Sequence, residues 1–169
     1  LKSTSTKFVF FSSVKAAADS VVGEVLTEEV IPTPKGPYGE SKIAAEEYIL
    51  NNLSKGKQIY ILRPCMIHGP GNKGNLNLLY KLVQKGIPWP LGKFDNRRSF
   101  CSIDNLIYVI QNLIQNNIES GIYQVADDRP ISTNELVDLI AKSLGKNTRI
   151  WNLNQAFIKM LAKMGDLLH

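Results

Sequence analysis

The sequence predicts an α/β fold built on a parallel sheet, and three observations carry that prediction. KFVFFSS at 7–13 is a continuous apolar run ending in small hydroxyl residues, the pattern of a parallel strand buried on both faces. QIYILRP at 58–64 repeats the pattern and is stopped by Pro64. Between them lies YGESKIAAEEYILNNL, whose Ala and Glu content and whose spacing of Ile43, Tyr48, Ile49 and Leu53 predict a helix. Strand, helix, strand in that order implies a right-handed crossover between parallel neighbours.

The other elements follow along the chain. Pro32, Pro34, Gly36 and Pro37 mark a turn-rich entry to the first helix. NLLYKLVQKG (77–86) is a second helix with Gly86 as its stop, and DNLIYVIQNLIQNN (104–117) is a third, with Asp104 as the expected N-cap. GIYQVAD (121–127) is a short strand, and Ser132 or Thr133 caps a helix that runs through Leu144 and ends at Gly145. The last segment, NQAFIKMLAKMGDLLH, is amphipathic. Two good parallel strands are fewer than a free-standing doubly wound sheet normally has, so the chain reads as part of a larger protein. The strand at 7–13 would then present a bare edge that invites self-association.

Composition narrows the function classes. At 169 residues, 44% hydrophobic and 21% charged, the chain is globular, and disordered, fibrous and coiled-coil classes fall away. No apolar stretch approaches the eighteen or so residues of a membrane span, and LKSTSTK lacks the apolar core of a signal peptide, so the cytoplasm is the expected compartment. Cys65 and Cys101 lack CxxC spacing and read as reduced, small apolar residues, and no His, Cys and carboxylate cluster implies a metal. The net charge of +5 is scattered, with no basic run longer than Arg97-Arg98. That distribution favours a phosphate-bearing small ligand over nucleic acid.

Gly69, Gly71 and Gly74 satisfy G-x-G-x-x-G after a strand and before a helix, with Asp95 about twenty residues on, as in a dinucleotide loop. Two features argue against that reading. Pro70 removes a backbone N–H from the loop, and Pro88 and Pro90 bar the central strand that should follow the helix. A loop bending over a substrate fits better.

Tyr38 and Lys42 carry a stronger chemical signal. At a spacing of four on a helix, phenol and ammonium share a face, and the cation favours the phenolate, which makes Tyr38 a base usable near neutral pH. Ser13 lies 25 residues upstream at the carboxyl end of a buried strand, the edge where open α/β sheets place their ligands. A hydroxyl, a phenol and an amine can then converge.

Taken in order, strand-Ser12-Ser13, Pro37-Tyr38-x-x-x-Lys42, Leu62-Arg63-Pro64-x-x-x-x-Gly69-Pro70-Gly71 and Arg97-Arg98-Ser99-Phe100, with Ile122 to Asp127 after them, resemble the extended short-chain dehydrogenase/reductase family. Within it they are similar to the NAD-dependent nucleotide-sugar epimerases and dehydratases, and specifically to their carboxyl-terminal half. The amino-terminal Rossmann half with the true Gly-rich loop is missing from this chain.

The resemblance implies the later part of a Rossmann-like parallel sheet plus a small α/β substrate-binding domain, split as 1–70 and 88–117 for the cofactor domain and 71–87 and 118–169 for an incomplete substrate domain. It implies NAD or NADP as cofactor, a nucleotide-sugar substrate and a homodimer. Tyr38 would exchange a proton with the sugar C4 hydroxyl, Lys42 would hold the nicotinamide ribose, and Ser13 would hydrogen-bond the reacting oxygen. Ser12 would line the cofactor, Arg63 and Pro64 would end their strand beside the nicotinamide, Asn75 would meet the nucleotide phosphates and Arg98 the pyrophosphate.

Sugar 4,6-dehydratases usually carry an acidic pair where this chain has Val14-Lys15, so dehydration is disfavoured. The Ser12-Ser13-Val14-Lys15 run with Asn96-Arg97-Arg98-Ser99 is similar to a subgroup from surface-polysaccharide gene sets. That subgroup includes 4-epimerases and 4-keto-sugar reductases of N-acetylated UDP-sugars. The expected activity is therefore a UDP-sugar 4-epimerase, with a 4-keto-sugar reductase or a non-catalytic NAD(P)-binding protein of the same fold as alternatives. His68 stands where the family often has Tyr, and reads as a packed loop residue.

Overall fold

The computed structural model describes residues 4–20, 25–52, 56–71, 74–94 and 96–154. In chain order the elements are β1 (Lys7–Phe11), α1 (Val14–Ala17), α2 (Gly36–Asn51), β2 (Gln58–Pro64), β3 (Met66–His68), α3 (Asn75–Gln84), β4 (Arg97–Arg98), β5 (Phe100–Ser102), α4 (Ile103–Gln115), β6 (Gly121–Val125), β7 (Ile131–Ser132) and α5 (Thr133–Ser143). The expected amphipathic last segment lies, from residue 155 onward, outside the described residues, as does Leu53.

The chain divides into two units. The first takes Leu1–Gly69 and Phe100–Asp128, the second Pro70–Ser99 and Arg129–His169. The units divide after residues 69, 99 and 128, where the sequence-based split falls after 70, 87 and 117. Residues 118–128 join the first unit because β6 pairs in parallel with β2, and 88–99 join the second because Arg97–Arg98 pairs with β7 and Trp89 bridges to Ile150.

In the first unit, β1, β2 and β6 form a parallel sheet in the order β1-β2-β6, with Val9 opposite Tyr60 and Tyr60 opposite Gly121. Alternation along β2 sends Tyr60 and Leu62 to one face, where they pack with Leu106 and Leu113 of α4, Cys101 and Val125. Tyr60 keeps its hydroxyl satisfied by donating to the Ile118 carbonyl at 3.0 Å. Ile59, Ile61 and Arg63 share the other face.

Lys7 spans from the start of β1 to the C-terminal end of α4, where its ammonium donates to the Leu113, Ile114 and Asn116 carbonyls. A cation there satisfies orphan carbonyls and opposes the negative end of the helix dipole. The outer margin of β6 is covered, since the Gln124 N–H donates to the Glu28 carboxylate at 2.7 Å. The outer margin of β1 pairs with no strand among the described residues.

Beyond β2 the chain continues into β3, which pairs in parallel with β5, two short strands that the apolar pattern did not predict. The N-cap of α4 is Ser102 rather than Asp104, because the Ser102 hydroxyl accepts the Asn105 N–H at 3.2 Å while Asp104 falls inside the first turn. Two glycines of the G-x-G-x-x-G run have local reasons. A Cβ on Gly69 would lie 2.6 Å from the Ile103 side chain, and Gly71 has φ +80.

The second unit packs α3 on α5 through Val83, Val137, Ile140 and Ala141, with Leu76, Leu79 and Trp89 around them. Ser132 caps α5 in a capping box with Glu135, as the S-x-x-E spacing predicts. Between α3 and β4 the described residues make only isolated bridges, at Trp89 and Leu91, and form no strand of the kind a dinucleotide loop demands. No helix among the described residues is long and apolar enough to cross a membrane.

Candidate active site

The first unit gathers Ser12, Ser13, Tyr38, Lys42, Arg63 and Pro64 around the carboxyl ends of β1 and β2. Helix α2 carries Tyr38 in its first turn, entered through Pro37, which suits the first helical positions because its missing N–H would be unpaired there anyway. The Lys42 ammonium donates to the Phe11 carbonyl at 3.0 Å and lies 5.5 Å from the Phe10 ring centre and 5.8 Å from that of Tyr38. Phe11 is the last residue of β1, so phenol and ammonium stand at the edge of the sheet where open α/β folds take their ligands. Tyr38 is 56% exposed and accessible to a substrate.

Ser13 follows β1 directly and is the N-cap of α1, where its oxygen accepts the Lys15 N–H at 3.2 Å. Its own proton remains available to donate. Helix α1 lies so close to α2 that a Cβ on Gly39 would fall 2.5 Å from the Lys15 carbonyl oxygen and 3.0 Å from Pro34. Gly39 is next to Tyr38, so this contact fixes the strand end that carries Ser13 against the helix end that carries the phenol. Gly39→Ala is expected to cost about 1–3 kcal/mol through overpacking, more than the roughly 1 kcal/mol gained in helix propensity. A urea melt checks this, and a variant as stable as the parent would mean that the two helices can move apart freely.

Ser12 and Arg63 do not line an open site. Both are buried, and both are engaged by Glu46, which is 1% exposed. Arg63 donates through Nε to Glu46 Oε1 at 3.0 Å and through Nη2 to Oε2 at 2.6 Å, and the Ser12 hydroxyl donates to Oε1. Each side chain is turned inward, Arg63 into an ion pair with Glu46 and Ser12 into a hydrogen bond to the same carboxylate, which differs from the cofactor contacts expected of them. Pro64 is also buried, opposite Val125.

Asn75 and Arg98 belong to the second unit. Asn75 is the first residue of α3 and exposed, and Arg98 is exposed in β4, opposite Ile131.

Sequence reasoning missed Glu46, although its place four residues after Lys42 was a usable signal. It also missed the partner of His68. The His68 ring meets the Asp127 carboxylate at 3.2 Å and stands edge-on to Phe100, with ring centres 6.0 Å apart. Burial pushes the Asp127 carboxyl up, but hydrogen bonds from the Ser102 N–H at 2.9 Å, the Asn105 amide at 2.8 Å and His68 outweigh it and hold the group below the usual carboxylate value.

A carboxyl depressed in the folded state adds stability above its unfolded value near about 4 and loses it as pH falls through the folded one. Asp127→Asn is therefore expected to flatten the acid side of the stability curve. Melting midpoints measured from neutral to acid pH check this, and an unchanged acid limb would remove Asp127 from the account. Among the described residues no three His, Cys, Asp or Glu side chains group as metal ligands.

The profile of the 3-beta hydroxysteroid dehydrogenase/isomerase family matches residues 1–155. The chain belongs to that family. It is an extended short-chain dehydrogenase/reductase of the epimerase and dehydratase type, and its homologues include nucleotide-sugar epimerases and reductases.

One of them, the UDP-glucose 4-epimerase of Vibrio cholerae, is 36% identical over 152 residues, covering 87% of this chain and 45% of that protein. The GDP-6-deoxy-D-mannose reductase of Pseudomonas aeruginosa is 27% identical over 123 residues, covering 68% of this chain and 40% of that protein. Among solved structures, the UDP-glucuronic acid 4-epimerase of Bacillus cereus in complex with UDP-glucuronic acid and NAD matches with a TM-score of 0.71 at 21% identity, over 85% of this chain and 47% of that one. The family member described here thus spans less than half the length of the curated relatives it matches.

Proposed function

We propose that the whole protein carrying this chain is an NAD(P)-dependent 4-epimerase of a UDP-sugar. The observation that carries this reading is the Tyr38 and Lys42 pair at the carboxyl end of β1, with Lys42 tied to Phe11 and Ser13 two residues further on. The relatedness to a UDP-glucose 4-epimerase supports a sugar nucleotide over a steroid. The Ser12 to Lys15 and Asn96 to Ser99 runs support an N-acetylated sugar destined for a surface polysaccharide.

The residues fit a nicotinamide cofactor in part. Of the three N–H donors of Lys42 one goes to Phe11, and the ammonium sits beside an accessible phenol, the pairing that a ribose hydroxyl and a reacting hydroxyl require. The nicotinamide, when bound, supplies hydride transfer at C4. Tyr38 takes the C4 hydroxyl proton and later returns it, Ser13 donates to the same oxygen, and Lys42 holds the ribose. Asn75 and Arg98 hold the nucleotide phosphates.

The test is to incubate the whole protein and NAD with UDP-glucose and with UDP-N-acetylglucosamine and to resolve the 4-epimers by chromatography. Interconversion supports the reading, and its absence with both sugars refutes it. The relatedness to a GDP-sugar reductase favours one second reading, reduction of a 4-keto sugar nucleotide. Consumption of NAD(P)H by the keto sugar without epimerisation would select it. Arg98→Ala is expected to weaken UDP binding by about 1.5–3 kcal/mol, the worth of a hydrogen bond to a charged group. Calorimetry with UDP measures it, and unchanged affinity would return Arg98 to the solvated surface.

A further inference from the structure

Positions 38, 42 and 46 are each four residues apart on α2, so each lies about 40° further round the helix than the last. Burial follows that drift. Tyr38 is 56% exposed, Lys42 is half-buried and Glu46 is 1% exposed, so one stripe runs from solvent into the interior.

Two of its members, one turn apart, grip consecutive residues at the end of β1. Lys42 donates to the Phe11 carbonyl, and Glu46 accepts the Ser12 hydroxyl. The result is a closed ring of Lys42, Phe11, Ser12, Glu46 and the intervening helical turn. Arg63 locks it from β2 by bonding both Glu46 oxygens. Ser13 is the next residue after this ring.

A buried ion pair seldom repays its desolvation relative to a well-packed apolar pair, so stability alone does not account for a charge here. We propose that Glu46 is a positioning residue for the proton-transfer set, fixing the rotation of α2 on β1 and thereby the places of Lys42, Tyr38 and Ser13. This inference rests on the role given above to Tyr38 and Lys42.

The test separates positioning from stability. Glu46→Leu combined with Arg63→Met replaces the pair by apolar groups and is expected to fold with a melting temperature near that of the parent chain. Its effect is read in the 169-residue chain by nuclear Overhauser contacts from the Lys42 side chain to the Phe10 and Tyr38 rings. The Lys7 side chain over the Tyr60 ring, at 6.0 Å, is the internal reference at the other end of β1.

Loss of the Lys42 contacts with retention of the Lys7 contacts is the expected result. In the whole protein kcat is expected to fall on the order of 10- to 100-fold with KM held, as for a misplaced catalytic group. Retained Lys42 contacts in the folded double variant would overturn the proposal. Should the double variant fail to fold, Glu46→Gln is read the same way, and joint loss of the Lys7 and Lys42 contacts there would make Glu46 structural only and also overturn it. The magnetic readout needs no substrate, so this proposal can fail while the epimerase reading stands, and the reverse.

Discussion

Tyr38→Phe is expected to lower kcat of the whole protein by about 100- to 10,000-fold, the usual contribution of a positioned acid–base group, while leaving UDP-sugar affinity nearly unchanged. The substitution removes one oxygen and keeps the ring that lies 5.8 Å from the Lys42 ammonium, so the local packing and the cation–π contact survive. Only the proton transfer is lost. Turnover is compared with the sugar-nucleotide dissociation constant measured by calorimetry. Near-normal turnover would remove Tyr38 from the chemistry, and a parallel collapse of affinity would show that it serves binding instead.

The second large effect is on stability. Arg63→Met alone leaves the Glu46 carboxylate at 1% exposure with the Ser12 hydroxyl as its remaining bonded partner among those described above. Stranding a buried charge in this way costs about 3–5 kcal/mol, a large part of the stability of an ordinary domain. Adding Glu46→Leu to the same chain is expected to recover most of that loss, because the uncompensated charge goes with it. Urea denaturation of the two variants against the parent measures both steps. A single variant within about 1 kcal/mol of the parent would show that water reaches Glu46 and that the pair is less enclosed than its burial implies.

These two residues also show why part of the site was hard to read from sequence. KFVFFSS and QIYILRP are legible as parallel strands because both of their faces are apolar, and Tyr38 with Lys42 is legible because a four-residue spacing fixes two side chains on one helix face. Glu46 reads as a surface helix former, since an unpaired charge belongs in water and its partner Arg63 lies on another element. Ser12 and Arg63 read as cofactor-lining residues by analogy of position, and the inward direction of their side chains is not legible in the sequence.

Strand β6 was legible as a strand but not as a neighbour of β2, because Tyr60 meets Gly121 across a separation that no local pattern reports. The two-residue strands β4 and β7 are too short for any period to show. Ser102 and Asp104 are both good caps two positions apart, and the hydroxyl that reaches the Asn105 N–H decides between them.

The chain passes between its two units at three places, after Gly69, after Ser99 and after Asp128. His68, Phe100 and Asp127 flank all three, joined by the His68 to Asp127 pair, the ring contact and a 2.7 Å bond from the Asp127 N–H to the Phe100 carbonyl. The second unit is itself stitched from two separate stretches, for β4 comes from one and β7 from the other. No single recombination joint in the gene can therefore transplant that unit. A chimera with a relative must exchange 70–99 and everything after 128 together, and every joint falls within two residues of the same histidine, phenylalanine or aspartate.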